Sequence, residues 1–423
     1  MIPRVFGSLV QEMLSVFPVV ALVGPRQVGK STLVTSEPIN VDRRYLSMDS
    51  IVDRTFAESD PTGALDSTLP ITIDEIQLVP ALLREIKRLV DSDRKPGRFL
   101  ITGSADLTYA ADLAHVLAGR VGIVDLPPLT NYELWLNAIG FGSAQSIPYQ
   151  PSWVAFVAGG PEAIHSGRTA EPLPSDGRSP WDSLAIGGFP LSVTAPSDRA
   201  RDLWFESFRT TYLERDLRRL SDVGSISGFA RLMELTAART ATLLNQAALS
   251  REIGLPAPTT GRYLGLLEAS LLIRRVPGWY ANIGKRIVKS PKLFWRDTGI
   301  AANLMGLKSE AIERHPLRGP LFETMVMQEI SALSPVFLHG ARVYHLRTHD
   351  GLEIDALIHH HNQLVPIEIK GRRTASAEDA RPIERWLDLS CGSTPSPAAW
   401  GAVMYAGEKL QQLSRRVWAV PIV

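Results

Sequence analysis

Nine residues near the start of the chain have the types and spacing of a phosphate-binding loop. The pattern G-x-x-x-x-G-K-[ST] is followed by one further threonine, and the run comprises Gly24, Pro25, Arg26, Gln27, Val28, Gly29, Lys30, Ser31 and Thr32. In such a loop the glycines let backbone N–H groups point at phosphates, and the next helix adds the positive end of its dipole. We expect all nine residues to line an ATP site, with Lys30 reaching the β- and γ-phosphates and the Ser31 hydroxyl binding Mg²⁺. The alternative is a chance match in a glycine-rich turn, which the predicted strand before the loop and the predicted helix after it disfavour.

Two carboxylates follow a later apolar strand. Asp74 and Glu75 come directly after Leu69-Pro70-Ile71-Thr72-Ile73. We expect Asp74 to hold Mg²⁺ through its water shell and Glu75 to polarise the water that attacks the γ-phosphate. An exposed Asp-Glu pair at a strand end is common, but beside a phosphate-binding loop the pair predicts ATP hydrolysis. In the next apolar run, Leu100-Ile101-Thr102-Gly103-Ser104, the Ser104 hydroxyl is a candidate sensor of the γ-phosphate, and an ordinary turn is the alternative.

Four charged residues toward the end of the chain are candidates for a second metal site. Glu323 lies in a helical stretch, Asp355 ends Gly351-Leu352-Glu353-Ile354-Asp355, and Glu368 precedes Lys370 by two positions. Residues i and i+2 of a strand point to one face, so Glu368 and Lys370 project together, and Asp355 joins them if the strands form a hairpin. The carboxylates would then bind a second divalent metal, and Lys370 would orient water or neutralise a phosphate. The alternative is a set of surface charges on a hairpin.

The middle of the chain has the pattern of a DNA-binding helix pair. Residues 245–275 are typical of helix, turn, helix and strand, as in a winged helix. Thr259, Thr260 and Arg262 are predicted to face outward, as a recognition helix presents polar groups to a groove.

A basic segment follows this helix pair. Between Arg274 and Arg296 there are seven basic residues and no acidic residue, and Lys285, Arg286 and Lys289 are the expected phosphate contacts. The alternative is a packing module whose basic face pairs with acids of another domain.

Alternating strands and helices are predicted to position the first set of residues. Apolar runs at Val19 to Val23, Ile71 to Ile73 and Phe99 to Ile101 are separated by helix-like segments, which is typical of a parallel sheet buried on both faces. We therefore predict an α/β multidomain chain. Its predicted parts are a P-loop ATPase domain at 1–139, a Gly- and Pro-rich lid or linker at 140–199, a helical and winged-helix domain at 200–313 and an α/β end at 314–423.

The composition excludes several classes of protein. With 423 residues, 45% hydrophobic and 21% charged, the chain is long and apolar enough for two or three packed domains and is not mainly disordered. Its 45 basic residues nearly cancel its 44 acidic ones, so any nucleic-acid site must be a local cluster. Cys391 is the only cysteine, which excludes an internal disulfide and a thiolate zinc cluster. The early apolar stretch is too short to cross a bilayer, so we expect a cytoplasmic protein without a membrane partner.

The motifs together resemble a known family. GPRQVGKST, ITIDEIQ, LITGS, LAGR at 117–120 and LPPLTNYEL at 126–134 are similar to the prokaryotic AAA-type ATPases fused to a C-terminal domain of uncharacterised function. The resemblance implies that Arg120 contacts the γ-phosphate, in its own subunit or in a neighbouring one, and an ion pair with Glu133 or another surface acid is the alternative. The Asp355 and Glu-x-Lys arrangement with the upstream Glu323 resembles the restriction-endonuclease-like (PD-(D/E)XK) fold.

These inferences combine into one functional hypothesis. We expect a Mg²⁺-dependent ATPase whose nucleotide state controls the posture of a winged helix and of a nuclease-like end on DNA. The alternative is a nucleotide switch that cleaves nothing and regulates or scaffolds a protein partner. Self-association is compatible with both hypotheses.

Overall fold

The described residues up to 138 form a parallel sheet with helices on both faces, as the alternation of strands and helices predicts. The computed structural model describes residues 2–104, 116–141, 149–164, 179–212, 225–280, 290–390 and 395–422. The helices and strands of this first region are α1 (Phe6–Val16), β1 (Val19–Gly24), α2 (Lys30–Val34), β2 (Arg44–Ser47), α3 (Ile51–Ser59), α4 (Pro61–Ala64), β3 (Ile71–Asp74), α5 (Ala81–Ser92), β4 (Phe99–Ser104), β5 (Val121–Asp125) and α6 (Asn131–Ala138). The strand order is β2-β3-β4-β1-β5, and every neighbouring pair is parallel.

The two faces of this sheet pack against different helices, because successive side chains of a strand point to opposite sides. Val20 and Leu22 of β1 belong to a core that includes α1 and α6. Val19 and Ala21 belong to a second core that includes β3 and α5. Since β4 lies between β1 and β3, the carboxyl ends of these three strands meet at one edge of the sheet. That edge positions the phosphate-binding loop beside Asp74.

The central region combines helices with a small antiparallel sheet. Its elements are α7 (Ser152–Gly159), α8 (Pro161–Ile164), α9 (Pro180–Ile186), α10 (Pro190–Val193), α11 (Asp198–Thr211), α12 (Ile226–Ala238), β6 (Thr242–Leu243), α13 (Gln246–Ile253), α14 (Ala257–Ala269), β7 (Ile273–Val276), β8 (Lys292–Trp295), α15 (Thr298–Leu304) and α16 (Ser309–Ile312). The sheet order is β6-β8-β7. Asn245 caps α13 by accepting a hydrogen bond from the Ala248 N–H at 3.0 Å, and Gly254 ends that helix in the left-handed region. The secondary structure predicted for 245–275 is therefore the one observed.

The last region is a long helix and a mixed sheet. Its elements are α17 (Arg318–Phe337), β9 (Arg342–Arg347), β10 (Glu353–His360), β11 (Gln363–Lys370), α18 (Arg381–Leu389), β12 (Ser396–Pro397), β13 (Gly401–Tyr405), β14 (Gln411–Gln412) and β15 (Val417–Pro421). The order is β14-β15-β13-β11-β10-β9, and β12 pairs with β11. The antiparallel hairpin predicted around Asp355 and Glu368 is β10 and β11. None of the described helices, α17 included, is long and apolar enough to span a membrane.

Gly188 connects the first region to the central one. The Gly188 N–H donates to the Asp297 carboxylate at 2.7 Å, and the Leu129 N–H donates to the Gly188 carbonyl at 2.7 Å. A Cβ on Gly188 would lie 2.1 Å from the Leu129 carbonyl oxygen, so a side chain does not fit there. Asp297 is buried and also caps α15 through the Ile300 N–H at 2.8 Å. At this point the contact between the regions is a backbone hydrogen bond, and the buried Asp297 carboxylate holds the Gly188 end of it.

Candidate functional site

The phosphate-binding loop connects β1 with α2 and depends on its two glycines. Gly29 has a φ of 95°, in the left-handed region that a Cβ disfavours. A Cβ on Gly24 would lie 2.5 Å from the Leu126 carbonyl oxygen, so the chain can pass β5 only with glycine at this position. Pro25 and Val28 are buried, whereas Ser31 and Thr32 are exposed in the first turn of α2. The loop is thus anchored by its buried residues, and the Ser31 and Thr32 side chains are exposed to solvent.

The Lys30 ammonium lies inside this loop. Its Nζ donates to the carbonyl oxygens of Gly24 at 3.1 Å and Pro25 at 2.9 Å, and Lys30 is 5% exposed. Burial lowers the pKa of Lys30 below its ordinary value, although the charges of Glu75 and Asp74 oppose the shift. Lys30 therefore lies within electrostatic reach of Asp74, the predicted Mg²⁺ residue, and of Glu75, the predicted base.

Asp74 ends β3, and both of its carboxylate oxygens accept hydrogen bonds. The Thr102 hydroxyl, on β4, donates to one oxygen, and the Tyr45 hydroxyl, on β2, donates to the other at 2.9 Å. The Glu75 N–H donates to the same Thr102 hydroxyl oxygen at 3.1 Å. Burial and then the hydrogen bond to Asp74 raise the pKa of Tyr45, which stays a donor. One threonine thus contacts both members of the acidic pair.

Glu75 is held in an unusual conformation. Its φ of 55° lies in the left-handed region, which is uncommon for residues other than glycine. The Gln77 side-chain amide donates a hydrogen bond to the Glu75 carboxylate. Backbone conformations of this kind concentrate at functional sites, where surrounding contacts maintain them.

Thr102 and Tyr45 are site residues that sequence reasoning does not identify. Thr102 lies in the strand that is predicted to contain the sensor of the γ-phosphate. The only sign of its role in the sequence is a hydroxyl within an apolar run. Because Ser104 ends the strand, sequence reasoning selects Ser104 and not Thr102. Ser104 ends β4 and its backbone pairs with Gly24, whereas the placement of its hydroxyl lies outside the described part of the chain. Tyr45 gives no signal, since its contact depends on β2 lying beside β3.

Gln27 connects the loop to helix α11. Its side-chain oxygen accepts a hydrogen bond from the Trp204 indole N–H at 2.8 Å. Trp204 belongs to a series of aromatic rings in which each centroid lies within 6.4 Å of the next. The series consists of Trp204, Phe208, Tyr212, Phe229 and Tyr263. It ends on α14, so the loop and that helix are joined by continuous contacts.

Arg120 lies at the opposite edge of the sheet. The Arg120 carbonyl accepts a hydrogen bond from the Val19 N–H at 3.3 Å, so Arg120 lies beside the first residue of β1. The phosphate-binding loop begins at Gly24, the last residue of that strand. Five strand steps separate the two positions by about 17 Å. The Arg120 guanidinium instead pairs with Asp91 at 2.5 Å. The prediction that Arg120 contacts the γ-phosphate within its own chain is therefore wrong, because parallel strands place it at the amino edge. A contact with a neighbouring subunit stays a prediction.

A second cluster of charges surrounds Lys292, the first residue of β8. Its Nζ lies 3.0 Å from Glu323, 3.0 Å from Glu353 and 3.2 Å from Asp355, and Lys292 is 3% exposed. We call these four residues the Lys292 cluster. Burial alone would lower the pKa of Lys292, but the charges of Asp355, Glu323 and Glu353 raise it. A residue of the predicted DNA-facing segment is thus an internal counter-ion.

The four residues predicted as a second metal site lie in this neighbourhood. The β9–β10 register shifts between Ile354 and Leu357, and this irregularity contains Asp355, whose carboxylate accepts from the Ile369 N–H at 2.9 Å. Lys370 donates to Glu368 at 2.6 Å, as expected for residues on one face of β11. Burial and then the charge of Asp355 raise the pKa of Glu323 and of Glu368. Among the described residues, no group of three or more His, Cys, Asp or Glu side chains is arranged to bind a metal ion.

The predicted recognition helix is only partly correct. Thr260 was expected to face outward, but it is fully buried and its hydroxyl donates to the Pro256 carbonyl at 3.2 Å. The reason is its position in the first turn of α14, where the hydroxyl satisfies a backbone carbonyl. Thr259 is half-buried, and Arg262 is exposed with its guanidinium 5.6 Å from the Tyr263 ring centroid.

The basic segment is largely paired where the structure describes it. Lys285, Arg286 and Lys289 lie outside the described residues. The other four basic residues form ion pairs, which are Arg274 with Asp125 at 3.7 Å, Arg275 with Glu268 at 3.2 Å, Arg296 with Asp125 at 2.8 Å, and Lys292 in its cluster. Arg274, Arg296 and Lys292 pair with acids of another predicted domain, as in the alternative, whereas Arg275 pairs with Glu268 of its own domain.

Comparisons with known proteins agree with a P-loop ATPase domain in the first region of the chain. Residues 16–135 match the AAA domain model, residues 178–311 match a domain of unknown function (DUF8612) and residues 318–423 match a second one (DUF4143). Among solved structures, the Walker-type ATPase PABY2304 of Pyrococcus abyssi is 13% identical with a TM-score of 0.40, covering 70% of this chain and 94% of that one. The RuvB Holliday junction branch migration motor of Thermotoga maritima is 19% identical with a TM-score of 0.24, covering 64% and 89%. These TM-scores are too low to support an inference.

Two relatives extend over nearly the whole chain. They are the uncharacterized protein Rv2008c of Mycobacterium tuberculosis and the uncharacterized protein Mb2031c of Mycobacterium bovis. Each is 32% identical over 407 residues, which cover 96% of this chain and 80% of the relative. The chain therefore belongs to the same family as these mycobacterial proteins, and its first region is a P-loop ATPase domain of the AAA type.

Proposed function

We propose that the chain hydrolyses ATP, with Lys30 binding the γ-phosphate and Glu75 acting as the base toward water. The observation that supports hydrolysis is the shared Thr102 hydroxyl, which contacts the Asp74 carboxylate and the Glu75 N–H. A site that only bound nucleotide would not need a second acidic residue whose backbone is fixed beside the first. Preorganised groups of this kind lower the barrier because they need no rearrangement during the reaction.

The oxygen atoms at this edge of the sheet suit Mg²⁺. Ser31 is exposed in the first turn of α2, and each Asp74 oxygen has a further lone pair after accepting its hydrogen bond. Hard cations prefer such ligands, so Ser31 and Asp74 would hold the ion. When bound, Mg²⁺ neutralises charge on the β- and γ-phosphates.

Two variants test hydrolysis. We expect Lys30→Ala to abolish ATP binding in calorimetry, and Glu75→Gln to bind ATP without releasing phosphate. Lys87→Ala, which removes an exposed lysine on α5, is the matched control and should behave as wild type. If Lys30→Ala and Glu75→Gln both release phosphate at the wild-type rate, the proposal is wrong.

We also propose that nucleotide state acts on a DNA-binding winged helix. The order α12, β6, α13, α14, β7, β8 with its three-stranded sheet supports that fold, and α14 would be the recognition helix. The contact between Gln27 and Trp204 supports the coupling, since it joins the phosphate-binding loop to the rings that end at Tyr263. Thr260 is no longer a candidate contact, whereas Arg262 remains one.

The salt dependence of DNA affinity tests this part. Replacing Lys285, Arg286 and Lys289 by Gln should weaken duplex binding and reduce the slope of log K against log salt by about 3, or roughly 0.9 for each lost phosphate contact. Lys308→Gln, at an exposed lysine, is the control. An unchanged slope would place DNA binding elsewhere.

A second candidate function is a nucleotide switch that cleaves nothing and regulates or scaffolds a protein partner. It is favoured by the Lys292 cluster, whose carboxylates converge on an ammonium and not on an open metal position. Incubation of the protein with plasmid and Mn²⁺ or Mg²⁺ separates the two. Cleavage that is lost in Asp355→Ala or Lys370→Ala supports a nuclease, and no cleavage under any nucleotide condition supports the switch.

A further inference from the structure

Lys292 is a buried cation among acids that come from another part of the chain. The lysine lies on β8 of the central region, while Glu323 is on α17 and Glu353 and Asp355 are on β10. The three carboxylates lie 3.0 to 3.2 Å from the Lys292 Nζ, although they come from two separate elements of the chain. A single ammonium therefore holds together a helix and a strand that are not neighbours in the chain.

We propose that the Lys292 ammonium occupies the position of a divalent cation and excludes it, so that the C-terminal acids bind a metal only when Lys292 leaves. The inference takes up the metal site that the sequence predicts at the C-terminal end, and it adds the regulation of that site. The ligands would be Glu323 and Asp355, with Glu368 moving toward the vacated position. The cation class is Mg²⁺ or Mn²⁺, because all the candidate ligands are carboxylate oxygens.

The charges around the cluster favour a divalent ion over the ammonium. Among the residues that the structure describes, four carboxylates, those of the cluster and of Glu368, are paired with three cationic groups, which are Lys292, Lys370 at 2.6 Å from Glu368 and Arg347 at 4.0 Å from Glu353. A divalent ion in place of Lys292 would balance the four negative charges against four positive ones.

Glu368 gives an independent observation, since Lys370 contacts only one of its two carboxylate oxygens. It is 7% exposed, and no described residue offers a hydrogen bond to its second carboxylate oxygen. A buried carboxylate oxygen without a partner is costly, so a ligand for it is expected.

The position of Lys292 depends on the central sheet. Lys292 pairs with Leu243 of β6 and Val276 of β7, so its ammonium moves with this sheet. A displacement by one strand spacing, about 4.8 Å, would break all three contacts. The same region is attached to β9, where the Trp279 N–H donates to the His345 carbonyl at 2.6 Å. The position of the central sheet relative to α17 and β10 therefore decides whether the three carboxylates can bind a metal ion.

Manganese binding to the full chain tests the exclusion. We start from Asp74→Asn without nucleotide, which removes the metal ligand of the ATP site, and add Lys292→Gln. Calorimetry should show about one additional Mn²⁺ per chain, and the gain should vanish when Asp355→Asn is added. Lys308→Gln, the matched control at an exposed lysine, should show no gain.

Each other outcome overturns the inference. A folded Lys292→Gln chain that binds no additional Mn²⁺ shows that the acids are not a metal site. A parent chain that already binds Mn²⁺ in an Asp355-dependent manner shows that Lys292 does not exclude the ion. If Lys292→Gln unfolds, Mn²⁺ should restore its circular dichroism spectrum, and failure to do so counts against the proposal. Because phosphate release by Lys30→Ala and Glu75→Gln is measured separately, a failure of the ATPase proposal is distinguishable from a failure here.

Discussion

Replacing Thr102 by Val should impair ATP hydrolysis much more than it impairs ATP binding. Val has nearly the shape of Thr, but it cannot donate to the Asp74 carboxylate or accept from the Glu75 N–H. Thr102 is fully buried, so water cannot replace the lost hydroxyl. Glu75 would then lose one of the contacts that fix its left-handed backbone, and the base would no longer be held in one position.

The magnitude follows from the two hydrogen bonds. Each buried group left without its partner costs about 1–3 kcal/mol. If about 2–3 kcal/mol of the total is lost from the transition state, kcat falls roughly 30- to 160-fold, since about 1.36 kcal/mol corresponds to a factor of ten. KM for ATP should change little, because Lys30 and the loop backbone are untouched.

Steady-state phosphate release measures the effect. Thr102→Ser keeps the hydroxyl and should retain most of the activity. Thr72→Val is the matched control, because Thr72 is equally buried on β3 but its hydroxyl accepts from Arg43 at 2.9 Å, away from the site. A Thr102→Val protein that keeps more than half of the wild-type kcat, with the Thr72→Val protein unchanged, would refute the reasoning.

Three further perturbations test other contacts. ATP should change the tryptophan emission of the wild type much more than that of Trp204→Phe in a fluorescence titration, since the Phe variant lacks the indole N–H that contacts Gln27 at 2.8 Å. Gly188→Ala should lower the free energy of unfolding by about 1–3 kcal/mol in urea, because its Cβ would overlap the Leu129 carbonyl. Burial raises the pKa of Glu329 from 4.5 to about 8, so the folded protein keeps a proton that the unfolded chain releases. The stability from this group is complete below about pH 4.5 and is lost as the pH rises toward about 8. The thermal midpoint should therefore fall more steeply over that interval in the wild type than in Glu329→Gln, and equal slopes would contradict the assignment.

The nucleotide site was predictable where its residues are fixed by local sequence. Lys30 belongs to a loop whose spacing is diagnostic, and Asp74 ends a short strand that contains Ile71 and Ile73, so the order of residues is enough to place both. Thr102 could not be placed in this way, because its role depends on β4 lying between β1 and β3, and spatial strand order is not encoded in neighbouring residues. Arg120 failed for a related reason. It directly precedes β5, and the parallel direction of that strand places it at the far edge of the sheet.

The basic segment shows the limit of charge counting along a sequence. A run of seven basic residues without an acidic one predicts a positive surface only when no acidic residue from a distant part of the chain pairs with them. Arg296 pairs with Asp125 across 171 positions, and Lys292 pairs with acids of α17 and β10. Local density of charge therefore overestimated the charge that is available to DNA.

The same ion pairs connect the central region to the first region and to the last region of the chain. Asp125 is the last residue of β5 and pairs with Val23 of β1, so it lies at the edge of the sheet that positions the phosphate-binding loop. Arg296 contacts this aspartate at 2.8 Å, while Lys292, four positions earlier in the same segment, contacts the C-terminal acids. Lys292 begins β8 and Arg296 directly follows its last residue, so one short segment contacts both the ATPase sheet and the C-terminal acids. We therefore expect a change at the carboxyl edge of the ATPase sheet that displaces Asp125 to reach the Lys292 cluster through residues that the sequence alone predicts to face DNA.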